Sequence, residues 1–587
     1  MKNLEVARLF DLMADLLELS GGNRFRIRAY RRAARNIESL AEDLETVAAE
    51  GRLDDIPGVG EDLAGKIAEY LATGRIRALD GLRAAVPAGV ADLLAVPGIG
   101  PKTAMVLYEK AGVRTIDRLR ALAQAGKLRG LPGIQAKTEA NILRGIAIVE
   151  QGRARVPLGR ALLLAEDLVR ALEAVRGVDR VALAGSIRRG KETVGDIDIL
   201  VTAADPNAVM AAFVDLPQVA EVLERGTTRT SVRHRDGIQV DLRVVEPASF
   251  GAALQYFTGS AGHNIRIREM AGRLGLKVSE YGVFREDSGR RVAAATEEDV
   301  YAAVGLPFIP PELREDAGEI EAALAGRLPS LVEPDDIRGD LHCHTRASDG
   351  HHSVDELVAA AAARGYAYVA VTDHSASATI AHGLSREALP AHLARIRAAE
   401  AAHPRIRVLA GTECDILPDG RMDYPDEQLA RFDLVIAAVH SRLRQSKAEM
   451  TRRICRALAN PYVHVLAHPT GRLFGERAPY EVDLDAVLRT ARRFGKAVEI
   501  NCCPQRLDLD GTHARRARDL GVLVAIDTDT HALDQLGTMR LGVTTARRGW
   551  VGREQVVNAW PLERLLAFTR GPRAGAAAPA RRAAGRR

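Results

Sequence analysis

Cysteine is scarce in this chain of 587 residues. Cys343, Cys414, Cys455, Cys502 and Cys503 all lie in the second half, and none has the paired spacing of a zinc knuckle or a disulfide framework. Reduced core residues are expected. No apolar run approaches the roughly 20 residues of a bilayer-spanning helix. The opening stretch MKNLEVARLFDLMADLLEL is acidic and amphipathic, unlike a signal peptide, so a cytoplasmic protein with no membrane partner is expected. A strong excess of one charge is missing too: the formal net charge is only +5. Five arginines, Arg573, Arg581, Arg582, Arg586 and Arg587, sit in the tail 571–587, whose Ala/Pro/Gly composition cannot bury a core and predicts disorder. Net charge therefore argues little for nucleic acid. Histidine is nearly missing before residue 340: of 15, only His234 and His263 precede it. Whatever uses imidazole lies in the last part of the chain.

A chain of this length, 47% hydrophobic, divides into several domains. Residues 1–150 read as amphipathic helices broken by an internal repeat: IPGVGEDLAGKI at 56–67, VPGIGPKTAMVL at 96–107 and LPGIQAKTEANI at 131–142. A Pro-Gly turn opening a helix exposes backbone amides that can hold a phosphate. One such turn is only a helix connection; three suggest DNA-backbone contacts that position without reading sequence, through Gly58, Gly60, Gly98 and Gly100. The phrases resemble helix-hairpin-helix motifs, and the third has lost its second glycine.

Residues 151–315 turn to short β-rich runs. In GSIRRGKETVGDIDILV, Asp196 and Asp198 are two apart on a predicted strand, so both carboxylates share one face while Ile197 and Ile199 enter the core. Asp241 alternates against Val240 and Leu242 and can join them if the two strands are neighbours. Three carboxylates on one sheet face suit two Mg2+ (or Mn2+) ions for phosphoryl transfer. Upstream, Gly185 and Ser186 end a strand and Arg188 and Arg189 follow, a turn suited to a triphosphate. The tripeptide DID alone reads as a strand with solvated acids; the glycine-serine turn and the third embedded acid reverse that reading.

Together these features resemble the nucleotidyltransferase superfamily and, within it, the X family typified by DNA polymerase beta. The resemblance covers residues 1–315. It implies Asp196, Asp198 and Asp241 as metal-binding catalytic acids, with Ser186 and Arg189 on the incoming deoxynucleoside triphosphate and Gly185 and Gly195 beside it. In YFTGSAGHNIRIR it implies Tyr256, Phe257 and Gly259 at the sugar, Asn264 at the base and Arg268 on the template. Near the N-terminus, AYRRAA and GVGEDLAGKIAEYLATG resemble a domain that binds the 5′-phosphate of a gap, with Arg26 for the phosphate and Lys66 as a lyase nucleophile. Three positions depart from the animal relatives: Gln239 replaces an arginine beside the third acid, and Glu61 and Asp62 replace neutral or basic residues of the 5′-phosphate pocket.

A polar, acid- and proline-rich stretch at 316–336 reads as a linker. From 337 to 570, apolar runs at 367–372, 406–410, 434–439, 463–467, 497–500 and 522–526, plus IRGDLH, alternate with helical stretches. Seven strand-helix units imply a parallel barrel with its chemistry at the carboxyl ends of the strands. There the sequence offers His342 and His344 in DLHCHT, Asp349, His374, Glu413, His440, His468, and Asp529 with His531. One strand-end histidine is usually structural; six with three acids suit several Zn, Mn or Fe ions. The set resembles the PHP (polymerase and histidinol phosphatase) family. That resemblance implies three metals: one on His342, His344, Glu413 and Asp529, a second on Glu413, His440 and His468, a third on Asp349, His374 and His531.

The expected fold is thus an all-α helix-hairpin-helix region (1–78 and 79–150), an α+β nucleotidyltransferase palm (151–247) with a thumb (248–315), the linker, and an α/β distorted (β/α)7 barrel. The whole is similar to bacterial X-family polymerases fused to such a barrel. This implies a monomeric polymerase that fills short gaps in base excision repair, acting on gapped or primer-template DNA, with a metal-dependent 3′-5′ exonuclease or phosphoesterase. Exonuclease, abasic-site cleavage and 3′-phosphatase action are not distinguished by the residues. Two other readings are an untemplated nucleotidyltransferase, disfavoured by the repeats and YFTGS, and a DNA-binding scaffold with a silent polymerase centre and only nuclease or phosphatase chemistry in the barrel, disfavoured by the intact acids.

Overall fold

The protein is described by a computed structural model covering residues 2–570, except 20–21, 39, 41–43, 86–92, 94–95, 97–98, 136–137, 140, 144–145 and 147–154. Gly98 and the tail 571–587 lie outside the described residues.

The N-terminal region is helical, as its periodicity predicts, with Phe10, Met13, Tyr30, Ile37, Leu44 and Ile67 in one core. Each repeat phrase makes the same tight turn. Val59 N–H donates to Ile56 O at 2.9 Å, Ile99 to Val96 at 3.0 Å and Ile134 to Leu131 at 2.9 Å. Gln135 in place of the second glycine therefore leaves the third turn intact. Gly60 and Gly100 are the N-caps of helices Glu61–Thr73 and Pro101–Ala111, and no side chain caps either one.

The palm is a five-stranded mixed sheet in the order β2 (Val178–Leu183), β4 (Asp196–Ala203), β7 (Gln239–Val244), β6 (Arg229–His234), β5 (Val219–Arg225); a small pair, β1 (Val156–Pro157) and β3 (Thr193–Val194), flanks it. Only β4 and β7 run parallel within the larger sheet. Buried Ile197, Ile199, Val240 and Leu242 pack against helices Leu158–Glu173 and Pro206–Val214. The thumb adds helices Phe250–Thr258 and Ala261–Arg273 and a meander of β8 (Leu276–Ser279), β9 (Gly282–Arg285) and β10 (Arg291–Ala293).

Residues 316–336 are not a linker. They contain the helix Glu319–Leu324 and bury Ile320, Ala323, Leu331 and Val332. The acid content misled because Glu319 is itself fully buried: it accepts from the amides of Asp316 (3.0 Å) and Ala317 (2.7 Å) and pairs with His263 at 2.7 Å.

The C-terminal domain is a seven-stranded parallel sheet in sequential order: β11 (Gly339–Asp340), β12 (Tyr368–Val371), β13 (Arg407–Asp415), β14 (Leu434–Ala438), β15 (Val465–Leu466), β16 (Ala497–Asn501) and β17 (Leu523–Asp527). A parallel bridge between Cys343 and Thr530 nearly closes it into a barrel. β13 runs through Asp415, five residues past its apolar run, because its polar end is buried at the barrel mouth and pairs with β14. Palm and barrel are packed together: Leu507 and Leu541 of the barrel enter the palm core, and a β-carbon on Gly159 would meet Pro504 Cβ at 2.6 Å.

Two candidate active sites

Neighbouring β4 and β7 bring the palm acids together. Asp198 lies opposite Asp241 in the parallel register, and Asp196 opposite Gln239. Burial, then the charges of Asp196 and Asp241, pushes the Asp198 carboxyl up to about 7; burial, then Asp241, raises Asp196. A divalent cation is the group that relieves such crowding of like charge. Gln239 Nε2 donates to both oxygens of Asp241, at 3.1 and 3.2 Å. It occupies the position where the animal relatives place a charge, and it orients the carboxylate without one.

β2 ends at Leu183, and the amide of Ala184 just beyond it donates to the carbonyl of Asp198 at 2.9 Å. Gly185 follows with φ +61°, and the buried hydroxyl of Ser186 has no hydrogen-bond partner, an oxygen left for a ligand. Arg188 is committed elsewhere, held by Glu297 through two bonds of 2.9 and 2.6 Å. Arg189 donates through Nε to Glu315 at 3.0 Å and through Nη1 to the carbonyl of Thr258. Gly195 precedes Asp196 at the start of β4. On the thumb, Tyr256 and Phe257 meet edge to face, 5.2 Å between centroids, and Arg243 stacks on Phe257 at 4.2 Å. Asn264 accepts from Gln255 at 2.9 Å and donates to the Tyr256 carbonyl at 2.7 Å; Arg268 donates to the Asn264 carbonyl at 3.3 Å. Gly259, with φ +71°, faces Arg189.

At the N-terminus Arg26 is exposed on helix Arg24–Glu38. Lys66 is not free: its ammonium donates to the Asp62 carbonyl at 3.1 Å and forms an ion pair with the Asp62 carboxylate.

The barrel rim gathers all nine ligand candidates. Glu413 is central: His374 Nδ1 lies 2.9 Å from its Oε2 and His342 and His344 3.4 and 3.5 Å, while His468 and His440 lie 2.8 and 3.3 Å from its Oε1. Asp529 Oδ1 is 3.2 Å from His344 and 3.5 Å from His342; Asp349 is 3.3 Å from His531 and 3.6 Å from His374. Among the described residues, three sets have all ligand atoms within 4.8 Å of one another: His344, Asp349, His374 and His531; His342, His344 and Asp529; His374, Glu413 and His440. His344 thus also joins the Asp349 set, and His374 stands beside one oxygen of Glu413 while His468 stands beside the other.

The donor chemistry fits metal ions. His342 Nε2, both nitrogens of His344, His374 Nδ1 and Glu413 Oε2 are buried and make no hydrogen bond of good geometry. Burial, then the charge of His374, lowers His344 to about 4; burial, then Arg506, does the same to His468. Against burial, the charge of Glu413 raises His374 to about 10 and His440 to about 9, protons that a metal ion would displace to give the ligating form.

Several residues that orient this rim went unseen in the sequence. Glu499 on β16 accepts from His342 Nδ1 and from the His468 amide, both at 2.6 Å. Asp415 accepts from His440 Nδ1 at 2.6 Å, and Asp373 fixes Thr345 at 2.7 Å and Ser348 at 2.6 Å. Arg506 stands 3.5 Å from Asp529. The signal for Glu499 was an acid inside the apolar run KAVEIN, the same cue that marked Asp241. Two barrel histidines outside the rim make structural contacts: His464 accepts from the Val435 amide at 3.0 Å, and His513 pairs with Asp510 at 2.8 Å.

Carboxylates facing one another across parallel strands, beside a glycine-serine turn, define a nucleotidyltransferase centre, joined here to a barrel of the metal-dependent phosphoesterase type. Family models agree with this division: Helix-hairpin-helix domain at 1–76, SAM-like Helix-hairpin-helix tandem at 90–147, DNA polymerase beta palm at 155–235, DNA polymerase beta thumb at 253–315 and PHP domain at 340–501. The chain is 37% identical to the DNA polymerase/3′-5′ exonuclease PolX of Bacillus subtilis over 570 residues, 97% of this chain and 99% of that protein. It is 28% identical to DNA polymerase lambda of Rattus norvegicus over 53% of this chain and 56% of that one. A probable phosphatase of Syntrophotalea carbinolica matches 39% of this chain over 94% of its own length, at 29% identity. The chain belongs to the bacterial PolX family, X-family DNA polymerases with a C-terminal PHP domain.

Proposed function

We propose that this protein fills short gaps in DNA during base excision repair and trims or cleans 3′ ends with its barrel. The observation that carries the reading is the register of Asp198 against Asp241 beside the unpartnered Ser186 hydroxyl. Asp196, Asp198 and Asp241 would hold Mg2+ or Mn2+, which supplies charge stabilisation and activation of the primer hydroxyl. Ser186 and Arg189, with Gly185 and Gly195 close to the chain, take the triphosphate of a deoxynucleoside triphosphate. Tyr256, Phe257 and Gly259 bound the sugar, Asn264 reaches the base and Arg268 the template strand.

In the barrel, His342, His344, Asp349, His374, Glu413, His440, His468, Asp529 and His531 would hold up to three Zn, Mn or Fe ions, which polarise a phosphoryl group for hydrolysis. Glu413 supports the reading of a shared ligand, since its two oxygens face different histidines. The chain's own residues orient the imidazoles through Glu499 and Asp415.

Gly58, Gly60 and Gly100 would present helix-start amides to the DNA backbone, with Arg26 on the 5′-phosphate and Lys66 as a lyase nucleophile once Asp62 releases it. Such binding is indifferent to base sequence and weakens steeply with salt. Among the described residues no helix is long and apolar enough to cross a membrane; a cytoplasmic monomer completes the proposal.

The test is a labelled gapped duplex incubated with and without nucleotides. Extension by the gap length, and stepwise loss of 3′ nucleotides without nucleotides, support the proposal. Removal of a 3′-phosphate alone would make the barrel a phosphatase, and no extension would leave a DNA-binding scaffold whose only chemistry is in the barrel.

A further inference from the structure

The turn 185–190 is backed by the barrel. Helix Met539–Arg548 lies so close that a β-carbon on Gly190 would meet Thr544 Cγ2 at 2.1 Å. From its last residue, Arg548 Nη1 donates to the Arg189 carbonyl at 2.7 Å and to Glu315 Oε1 at 3.0 Å. The same carboxylate oxygen accepts from Arg189 Nε at 3.0 Å, and Lys191 Nζ lies 3.6 Å from Glu315 Oε2. The cluster is largely buried, with side chains 11% (Arg548), 12% (Arg189) and 16% (Glu315) exposed and Lys191, 36% exposed, at its edge. One buried negative charge is therefore divided among three cations, one of them supplied by the other domain.

We infer that Arg548, a barrel residue, is a positioning residue for nucleotide addition: by sharing Glu315 it keeps the Arg189 guanidinium available to an incoming triphosphate. This rests on the reading of Arg189 as a triphosphate contact. In a desolvated site the attraction between a guanidinium and a carboxylate is strong, and a triphosphate must compete with Glu315 for Arg189. While Arg548 draws on the same oxygen, that competition is eased. Without Arg548, Glu315 closes on Arg189 and Lys191, and the Arg189 carbonyl loses its tether. Both effects weaken nucleotide binding, and neither touches Asp196, Asp198 or Asp241. The signature is a raised KM for the nucleotide with little change in kcat. The barrel ligands lie on other elements, so hydrolysis continues.

The experiment measures single-nucleotide gap filling by the full-length protein over a range of nucleotide concentrations, with 3′ degradation in the absence of nucleotides as the folding control. R548M should raise KM on the order of tenfold, within the usual range of coupling between linked sites, with kcat within about threefold and R548K recovering part of the loss. In an E315Q background, R548M should add no further rise, since the competing charge is gone. If R189A raises KM but R548M does not, the inference is overturned and the site reading stands. If R189A leaves KM unchanged, the site reading falls and the inference with it. An R548M effect that persists undiminished in E315Q would make the helix a plain scaffold, against the inference. Should R548M lose hydrolysis as well, R548K against wild type, alone and in E315Q, makes the same comparison.

Discussion

Gly185 lies so close to Asp198 that a β-carbon on residue 185 would stand 2.0 Å from Asp198 Oδ2. The turn and the catalytic strand are built against each other, and only glycine combines that approach with φ +61°. Gly185→Ala should push the Asp198 carboxylate off its position. Nucleotide addition should fall on the order of 100-fold, the cost of a misplacement of about 1 Å, while 3′ degradation by the barrel is retained. Primer extension and degradation assays on one preparation check this.

Glu499 holds two parts of the rim at once, His342 Nδ1 and the His468 amide, each at 2.6 Å. Glu499→Gln keeps one acceptor but turns an NH2 donor toward a donor. Metal content and hydrolysis should drop by about 10- to 100-fold, as when partners of ligating histidines are lost. Metal analysis of the purified variant separates this from misfolding, and gap filling should be unaffected.

Lys66 must leave Asp62 before it can attack an aldehyde. Borohydride trapping on a 5′-deoxyribose phosphate should be absent in Lys66→Ala and stronger in Asp62→Asn, by about threefold, the scale of a partly exposed ion pair. Equal trapping by wild type and Lys66→Ala would remove Lys66 from the role.

Lys496 is buried beneath the barrel and donates to the Val463 carbonyl at 2.6 Å; burial lowers its ammonium to about 8. The folded state therefore releases its proton before the unfolded state, whose lysine titrates near 10.5. Below pH 8 the buried charge costs stability in full, and the cost is relieved as pH rises from about 8 to 10.5, by about 1.4 kcal/mol per unit. Thermal unfolding across that window should show wild type gaining on Lys496→Met as pH increases. A constant gap would contradict the assignment.

The sequence made the ligands legible where one strand was enough. Alternation within DIDIL and QVDLR assigned Asp196, Asp198 and Asp241 to one face, and strand ends collected nine rim residues. What it lacked was register and distant partners. Glu499 becomes a tether only when β16 stands beside β15 and across from His342. The acids of 316–336 looked solvated because Glu319's partner, His263, is 56 residues away. Arg189 looked free because Glu315 and Arg548 come from elsewhere in the chain. Helix positions gave Lys66 and Asp62 their i,i+4 spacing, yet that the pair forms is seen only in the fold.

The central claim is that two chemistries use separate ligand sets in one chain, and Asp198→Ala and His344→Ala test it most directly. Each variant, shown folded by circular dichroism, is assayed for extension of a gapped duplex and for 3′ degradation without nucleotides. Asp198→Ala should lose addition by at least on the order of 10³-fold and still degrade 3′ ends. His344→Ala should do the reverse, and Glu413→Ala should be at least as damaging to hydrolysis, because Glu413 faces five histidines of the rim. Loss of degradation in Asp198→Ala, or normal degradation by His344→Ala, would contradict the account.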